Sequence, residues 1–131
     1  MNVEIKTVDH SEQRYDTVGD WQFKDGVLKI RVSKLGNVFW EHLIAVHEYC
    51  EALICMYQGV SEQDVDRFDL QYHGPGEPGD CTAAPYFEAH QHASGIERTL
   101  AAVLRTNWKY YDETVSSLTQ GETEHEHETS S

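Results

Sequence analysis

The chain has 131 residues, of which 39% are apolar and 25% are charged, and its formal net charge is −13. This length predicts one domain and excludes a multidomain enzyme with separate cofactor and substrate modules. The 23 acidic residues against 10 basic ones argue against a basic face that binds nucleic acid. No apolar run approaches the ~20 residues of a spanning helix, and no secretory signal is recognisable, so we expect a cytoplasmic protein without a membrane segment.

The first part of the chain predicts a small antiparallel sheet. Residues 21–32 read as two short strands around Asp25-Gly26, a dipeptide typical of hairpin turns because both positions tolerate positive φ. The residues of the second strand that are predicted to face the core are Leu28, Ile30 and Val32. Residues 3–8 alternate in the same way, so we expect a third strand there.

Helices follow the strands, and this order predicts an α+β fold with three to four helices packed on one face of the sheet. Asn37 is the predicted N-cap of the longest helix, which covers residues 38–57, and Gly59 is placed to end it. A second helix is predicted to begin after Ser61. Its residues available for packing are Val65, Phe68 and Leu70.

The remaining segments are a loop, two helices and a tail. Residues 73–80 contain three glycines and two prolines, which predicts a loop. Helices are expected over about 85–104 and from Trp108 to about 118. Residues 119–131 carry a net charge of −4 and no apolar residue, so we predict a disordered acidic tail after a single domain of residues 1–118.

Two of the predicted helices place imidazole and carboxylate groups on faces that should be buried. His47 and Glu51 lie one turn apart in the apolar face of the long helix, and a buried carboxylate requires a partner or a metal. His90 lies on the inner face of a later helix, with Glu97 in line with it. Together, His47, Glu51 and His90 form a ligand set that catalytic zinc uses, with a fourth position left for water.

Residues 47–51 read H-E-x-x-E on this helix. In zinc hydrolases with H-E-x-x-H, the Glu beside the first ligand takes a proton from the water molecule on the metal, so Glu48 is the candidate general base. A carboxylate in place of the second imidazole favours harder ions, and manganese or magnesium is therefore an alternative to zinc. A hydrogen-bonded core network without metal is the other interpretation.

These motifs resemble those of small phage and prophage proteins described as zincin-like metallopeptidases. The resemblance extends from Trp21 to Asp112. The matching segments are A-V-H-E-Y-C-E-A-L (45–53), G-V-S-E (59–62), Phe68-Asp69, E-P-G-D (77–80), A-P-Y (84–86), His90 and I-E-R (96–98).

The resemblance implies metal ligation by His47, Glu51 and His90, with Glu48 in the catalytic position. It also implies roles for Glu97 and Asp80, either as partners of the ligands or as further ligands. The function that follows is a single-metal hydrolase, encoded by a phage or prophage, that cleaves a peptide or another amide-like bond.

Two other functions compete with this hypothesis. A small acidic phage protein could inhibit a host or defence protein by presenting carboxylates where nucleic acid should bind. Glu48 and Glu51 also match the E-x-x-E motif of MazG-type nucleotide pyrophosphohydrolases, in which carboxylates hold magnesium against phosphates. The MazG-type hypothesis is the weaker of the two, because the chain lacks a second helix with E-x-x-D spacing.

Overall fold

A computed structural model describes the backbone of residues 1–130 and the side chains of residues 1–119. Within that range the strands are β1 (Asn2–Val8), β2 (Gly19–Lys24) and β3 (Val27–Ser33). The helices are α1 (Val38–Gln58), α2 (Glu62–Gln71), α3 (Phe87–Val103) and α4 (Trp108–Ser130). The fold is therefore α+β, as predicted. Apart from Thr119, the predicted tail lies outside the residues with described side chains, and its disorder stays a prediction.

The strand order is β1-β3-β2, and the sheet is mixed instead of fully antiparallel. β2 and β3 form the predicted hairpin, in which Asp25 and Gly26 have φ values of 54° and 78°. β1 runs parallel to β3, with Val8 opposite Ser33, so the predicted direction of this strand is wrong. The reason is that residues 9–18 pass the end of β3, and β2 then returns along the other edge.

The core forms where α1 lies against β2 and β3 on one side and against α3 on the other. Leu28, Ile30 and Val32 are 0%, 0% and 1% exposed, which confirms the predicted inner face of β3. In α1, Leu43 and Ala52 have no exposed surface. Because α1 lies between the sheet and α3, its buried face is the natural place for a site that both neighbours contact.

The ends of α1 and the start of α2 match their predicted capping residues. The Asn37 side chain accepts hydrogen bonds from the backbone N–H groups of the first turn of α1, and Gly59 adopts the left-handed conformation with φ 74°. Ser61 caps α2, whose Val65 is buried. Leu70, however, is 62% exposed, because it lies five residues beyond Val65 and on another side of the helix.

Within the described residues, no helix combines the length and the apolar character that crossing a membrane requires. All three cysteines have free thiols, and these are Cys50, Cys55 and Cys81.

A half-buried acidic group, Asp69, holds α2 to the loop before β2 and to the start of α3. The Asp69 carboxylate accepts hydrogen bonds from Tyr15, at 3.0 Å, and from Tyr86. Burial raises the pKa of Asp69 from 3.8 to about 6, although these two hydrogen bonds act in the opposite direction. At pH values between these two pKa values, the folded protein binds more protons than the unfolded chain. The free energy of unfolding therefore falls as the pH rises.

We therefore expect Asp69→Asn to remove a pH dependence that the wild type shows. From about pH 4.5 to about pH 7, the free energy of unfolding of the wild type should fall by about 1–2 kcal/mol relative to that of the variant. Urea unfolding at both pH values measures this difference. Asp64→Asn, on the exposed side of α2, is the control and should follow the wild type. If the free energies of unfolding of the wild type and Asp69→Asn differed by the same amount at both pH values, the raised pKa of Asp69 would be contradicted.

Candidate metal centre

Three potential ligand atoms from α1 and α3 face one another at the buried contact of the two helices. His47 Nε2 lies 3.2 Å from Glu51 Oε2 and 3.3 Å from His90 Nδ1, and His90 Nδ1 lies 2.9 Å from Glu51 Oε2. The three residues are only 5–6% exposed. The structure thus brings together all three residues that the sequence predicts as ligands, and this buried group could hold a metal ion.

The sides of this triangle match the spacing of ligand atoms around one small divalent ion. Bonds from zinc to nitrogen or oxygen are about 2.0–2.1 Å long, and a tetrahedral arrangement then separates the ligand atoms by about 3.3 Å. His47, Glu51 and His90 would hold such an ion with three ligands, and catalytic zinc sites with three protein ligands keep a fourth position for water.

Helix geometry and small residues explain why these side chains meet. His47 and Glu51 are four residues apart and therefore project from the same side of α1. Ala89 and Ala93 flank His90 on the inner face of α3 and have no exposed surface. Their short side chains let the two helices approach closely enough for the His90 ring to reach the α1 ligands.

His47 is held by a hydrogen-bonded pair behind it. Its Nδ1 lies 2.8 Å from Glu97 Oε1, and the hydroxyl of Tyr111 donates to the other oxygen of Glu97. Because a carboxylate accepts hydrogen bonds, Nδ1 of His47 carries a proton, and Nε2 is the nitrogen that faces the triangle and could bind an ion after releasing its own proton. Glu97 is thus placed as a partner of a ligand. The contact of Tyr111 with Glu97 is not predicted from the sequence.

Glu51 has a similar arrangement on its other oxygen. The indole Nε1 of Trp21 donates to Glu51 Oε1 at 3.0 Å, so Oε2 is the oxygen that faces the two imidazoles. Burial would raise the pKa of Glu51, but hydrogen bonds to His47 and His90 outweigh it and bring the pKa to about 2. Glu51 is therefore a carboxylate ready to bind a cation. Nothing in the sequence of the hairpin indicates this role for Trp21.

The outer nitrogen of His90 faces the loop before α3. His90 Nε2 lies 3.2 Å from Glu77 Oε2 and 3.3 Å from Asp80 Oδ1. Asp80 Oδ1 also accepts a hydrogen bond from Gln91 Nε2, at 3.2 Å. Asp80 therefore lies beside the site, as expected, but on the side of His90 that faces away from the triangle. Glu77, which the sequence offered only within the loop motif, joins it there.

Glu48 lies next to the triangle without being part of it. It is buried, and among the described residues its only ionisable partner of opposite charge within 4.0 Å is His47 Nε2, at 3.9 Å. Burial and the charge of Glu51 hold the pKa of Glu48 well above its ordinary value. The backbone of Gly19 lies close to this side chain, since a Cβ added at Gly19 would lie 2.9 Å from Glu48 Cγ. Glu48 is thus a buried carboxylate at the edge of the site.

The balance of charge at this site favours a cation. Burial lowers the pKa of both histidines, but their carboxylate neighbours outweigh it, and the pKa of His90 rises to about 10. The carboxylates of Glu48, Glu51 and Glu97 surround the two imidazoles in the same buried region. Such a concentration of acidic groups needs protons or a metal ion to be stable away from water.

Gly79 offers a test of how tightly His90 is positioned. A Cβ at Gly79 would lie 2.5 Å from His90 Nδ1 and 2.9 Å from Cδ2, closer than nonbonded atoms approach. Gly79→Ala should therefore displace the ring, weaken zinc binding by about 10-fold or more, and lower the free energy of unfolding by about 1–3 kcal/mol.

Isothermal titration with Zn²⁺ and urea unfolding measure the two effects. Gly95→Ala is the matched control, because a Cβ there would meet nothing within 4 Å and the residue is exposed on α3. This control should bind zinc like the wild type and gain up to about 1 kcal/mol of stability. Unchanged zinc affinity in Gly79→Ala would show that His90 does not bind the ion through Nδ1.

No protein-family model, curated protein or solved structure matches the chain. The resemblance to zincin-like phage proteins therefore stays a prediction. The geometry itself defines the class of site. It is a buried cluster of two histidines and one carboxylate that could hold a metal ion, and the carboxylate of Glu48 lies beside it.

Proposed function

We propose that the protein is a metal-dependent hydrolase of the zincin type, in which His47, Glu51 and His90 bind one zinc ion and Glu48 is the general base. One observation carries this proposal. Three ligand atoms converge on one point, and the second polar atoms of His47 and Glu51 are occupied on the other side by Glu97 and Trp21. Ligands in metal sites are typically oriented by such outer partners.

The donor atoms favour zinc over magnesium. Two of the three converging atoms are imidazole nitrogens, whereas Mg²⁺ prefers oxygen ligands and retains several waters. The same comparison argues against a MazG-type pyrophosphohydrolase, because the two atoms that converge with Glu51 Oε2 are imidazole nitrogens and not carboxylate oxygens. Mn²⁺ binds both kinds of donor and is the second candidate ion.

The proposed reaction is hydrolysis of a peptide or another amide-like bond. When bound, the ion polarises the carbonyl and lowers the pKa of a water molecule. Glu48 lies on the side of the triangle near His47 Nε2, where its carboxylate can accept the proton of that water and later deliver it to the leaving amine. Among the described residues, Glu48 has no ionisable partner of opposite charge closer than 3.9 Å. No close ion pair therefore has to break before Glu48 accepts the proton.

The proposal is tested by metal content and hydrolysis together. Protein purified without added metal should contain about one zinc per chain, and it should cleave members of a quenched fluorescent peptide pool. A chelator should abolish cleavage, and added Zn²⁺ should restore it. Protein that binds no metal under any condition would favour the hydrogen-bonded core network.

Bound zinc without cleavage of any peptide or simple amide would favour a structural ion. The inhibitor hypothesis then gains support, because an acidic protein of this kind should bind a basic partner tightly whether or not Glu48 is intact. Binding of Glu48→Gln to such a partner, compared with wild type, separates the two functions. Equal binding together with absent hydrolysis would overturn the proposed activity.

A further inference from the structure

A second group of potential ligands lies on the solvent side of His90. Glu77, Asp80 and His90 each offer one ligand atom, and the three atoms lie within 4.8 Å of one another. The side chains of Glu77 and Asp80 are 59% and 60% exposed, so this group is open to water, unlike the inner triangle. The group uses His90 Nε2, whereas the inner triangle uses Nδ1 of the same ring.

The buried nitrogen of His90 lacks a hydrogen bond. His90 is 5% exposed, and its Nε2 has no hydrogen-bond partner in the described chain, although two carboxylate oxygens lie at 3.2 and 3.3 Å. A hydrogen bond requires the acceptor to lie near the N–H axis. The two carboxylate oxygens lie beside the N–H axis of His90 instead. Ligands that share one ion with this nitrogen would occupy such positions. A buried polar atom without a partner calls for such an explanation.

The loop that carries the two carboxylates is built against the His90 ring. Glu77 precedes and Asp80 ends a single turn of 3-10 helix (Pro78–Asp80), which is closed by a hydrogen bond of 3.1 Å from Asp80 N to Glu77 O. Gly79, in the middle of this turn, packs directly on the ring, where no side chain would fit. Gln91 fixes the Asp80 carboxylate from α3. The arrangement therefore does not depend on free surface side chains meeting by chance.

We propose that Glu77, Asp80 and His90 Nε2 form an outer site for a second divalent transition-metal ion, next to the inner site and sharing His90 with it. Two carboxylates and one imidazole suit Zn²⁺ or Mn²⁺, and the exposed side leaves room for water ligands. This outer site requires neither hydrolysis nor Glu48, so it is independent of the proposed activity.

Sharing one imidazole sets the order of binding. A neutral imidazole has one lone pair and one N–H group, so filling both sites releases the remaining ring proton of His90 to solvent. The second ion therefore binds more weakly than the first. Because all three inner ligands are buried and two of the three outer ligands are exposed, the inner site should fill first at equilibrium.

Equilibrium dialysis with Zn²⁺ tests the outer site on the full-length protein. The wild type should bind two ions, the second at least about 100-fold more weakly. Glu77→Gln combined with Asp80→Asn should lose the second ion and keep the first. The control is Glu88→Gln combined with Asp112→Asn, which changes the net charge equally at exposed positions and should keep both ions. Far-UV circular dichroism checks that each variant folds.

His47→Ala separates the two sites from the other direction, because it should lose the tight ion and keep the weak one. Three outcomes would overturn the proposal. They are a single ion in the wild type, a second ion that survives in the Glu77/Asp80 double variant, and a double variant that weakens the first ion without changing the number bound. The last result would make Glu77 and Asp80 positioning residues for His90. Peptide hydrolysis is not needed for any of these measurements.

Discussion

Replacing His47 with alanine is expected to weaken zinc binding at the inner site by more than about 100-fold, since loss of a partner behind a ligand already costs about 10–100-fold. His47 Nε2 is one corner of the ligand triangle, at 3.2 Å from Glu51 Oε2 and 3.3 Å from His90 Nδ1. Two remaining donors cannot fix the position of an ion or exclude competing waters. Competition with a chromophoric chelator measures the change.

His47→Ala should also lower the stability of the metal-free protein. His47 accompanies the buried carboxylates of Glu51 and Glu97, and removing one partner of a buried charged pair costs roughly 3 kcal/mol or more. Zinc affinity must therefore be compared at a temperature where the variant is folded. His47→Gln, which keeps a polar side chain in the same place, provides a second variant if the alanine form does not fold.

His42→Ala is the matched control for this experiment. His42 is on the same helix but exposed, so its removal should change neither zinc affinity nor stability by more than about 0.5 kcal/mol. If His47→Ala and His42→Ala bound zinc equally well, the converging geometry around His47 would be a hydrogen-bond network and not a metal centre.

Helix periodicity explains why the centre could be predicted from sequence. His47 and Glu51 share a face because an α-helix turns about 100° per residue, and this relation holds wherever the helix packs. His90 and Glu97 follow from the same rule on α3. The assumption that both apolar faces pack against each other was enough to place His90 opposite His47, and the two rings are 4.7 Å apart between centroids.

Other features of the site depend on how separate elements meet. Tyr111 reaches Glu97 from α4, and Trp21 reaches Glu51 from β2, so both contacts require the relative positions of elements that periodicity does not fix. Periodicity does not determine the direction of β1 either, because an alternating strand can pair with either edge of the sheet and in either direction. Periodicity therefore predicts which three candidate ligands converge, but not most of the residues that contact them.

Replacing Glu48 with glutamine should lower the rate of hydrolysis without lowering the stability of the protein. Glu48→Gln keeps the size and shape of the side chain but cannot accept a proton as a carboxylate does. Zinc content should stay near the wild-type level, because the three inner ligands are unchanged. The rate of peptide hydrolysis should fall by about 10²–10⁴-fold, the usual contribution of general acid–base catalysis.

The same substitution should leave the metal-free protein as stable as the wild type or more stable, by up to about 1–2 kcal/mol. A buried carboxylate whose nearest ionisable partner of opposite charge lies 3.9 Å away gains little from its charge and loses its hydration. Urea unfolding and a peptide cleavage assay on the same preparation measure both quantities. Glu88→Gln, exposed on α3, is the control and should alter neither.

These paired measurements distinguish a catalytic Glu48 from a structural one. A structural carboxylate that anchors its neighbours would lower stability when replaced and would lower activity only in proportion to the loss of folded protein. A general base would lose activity while stability is kept or increased, as expected where a fold retains an unfavourable buried group for its chemistry. Activity retained in folded, zinc-loaded Glu48→Gln would therefore remove Glu48 from the mechanism and leave the metal site in place.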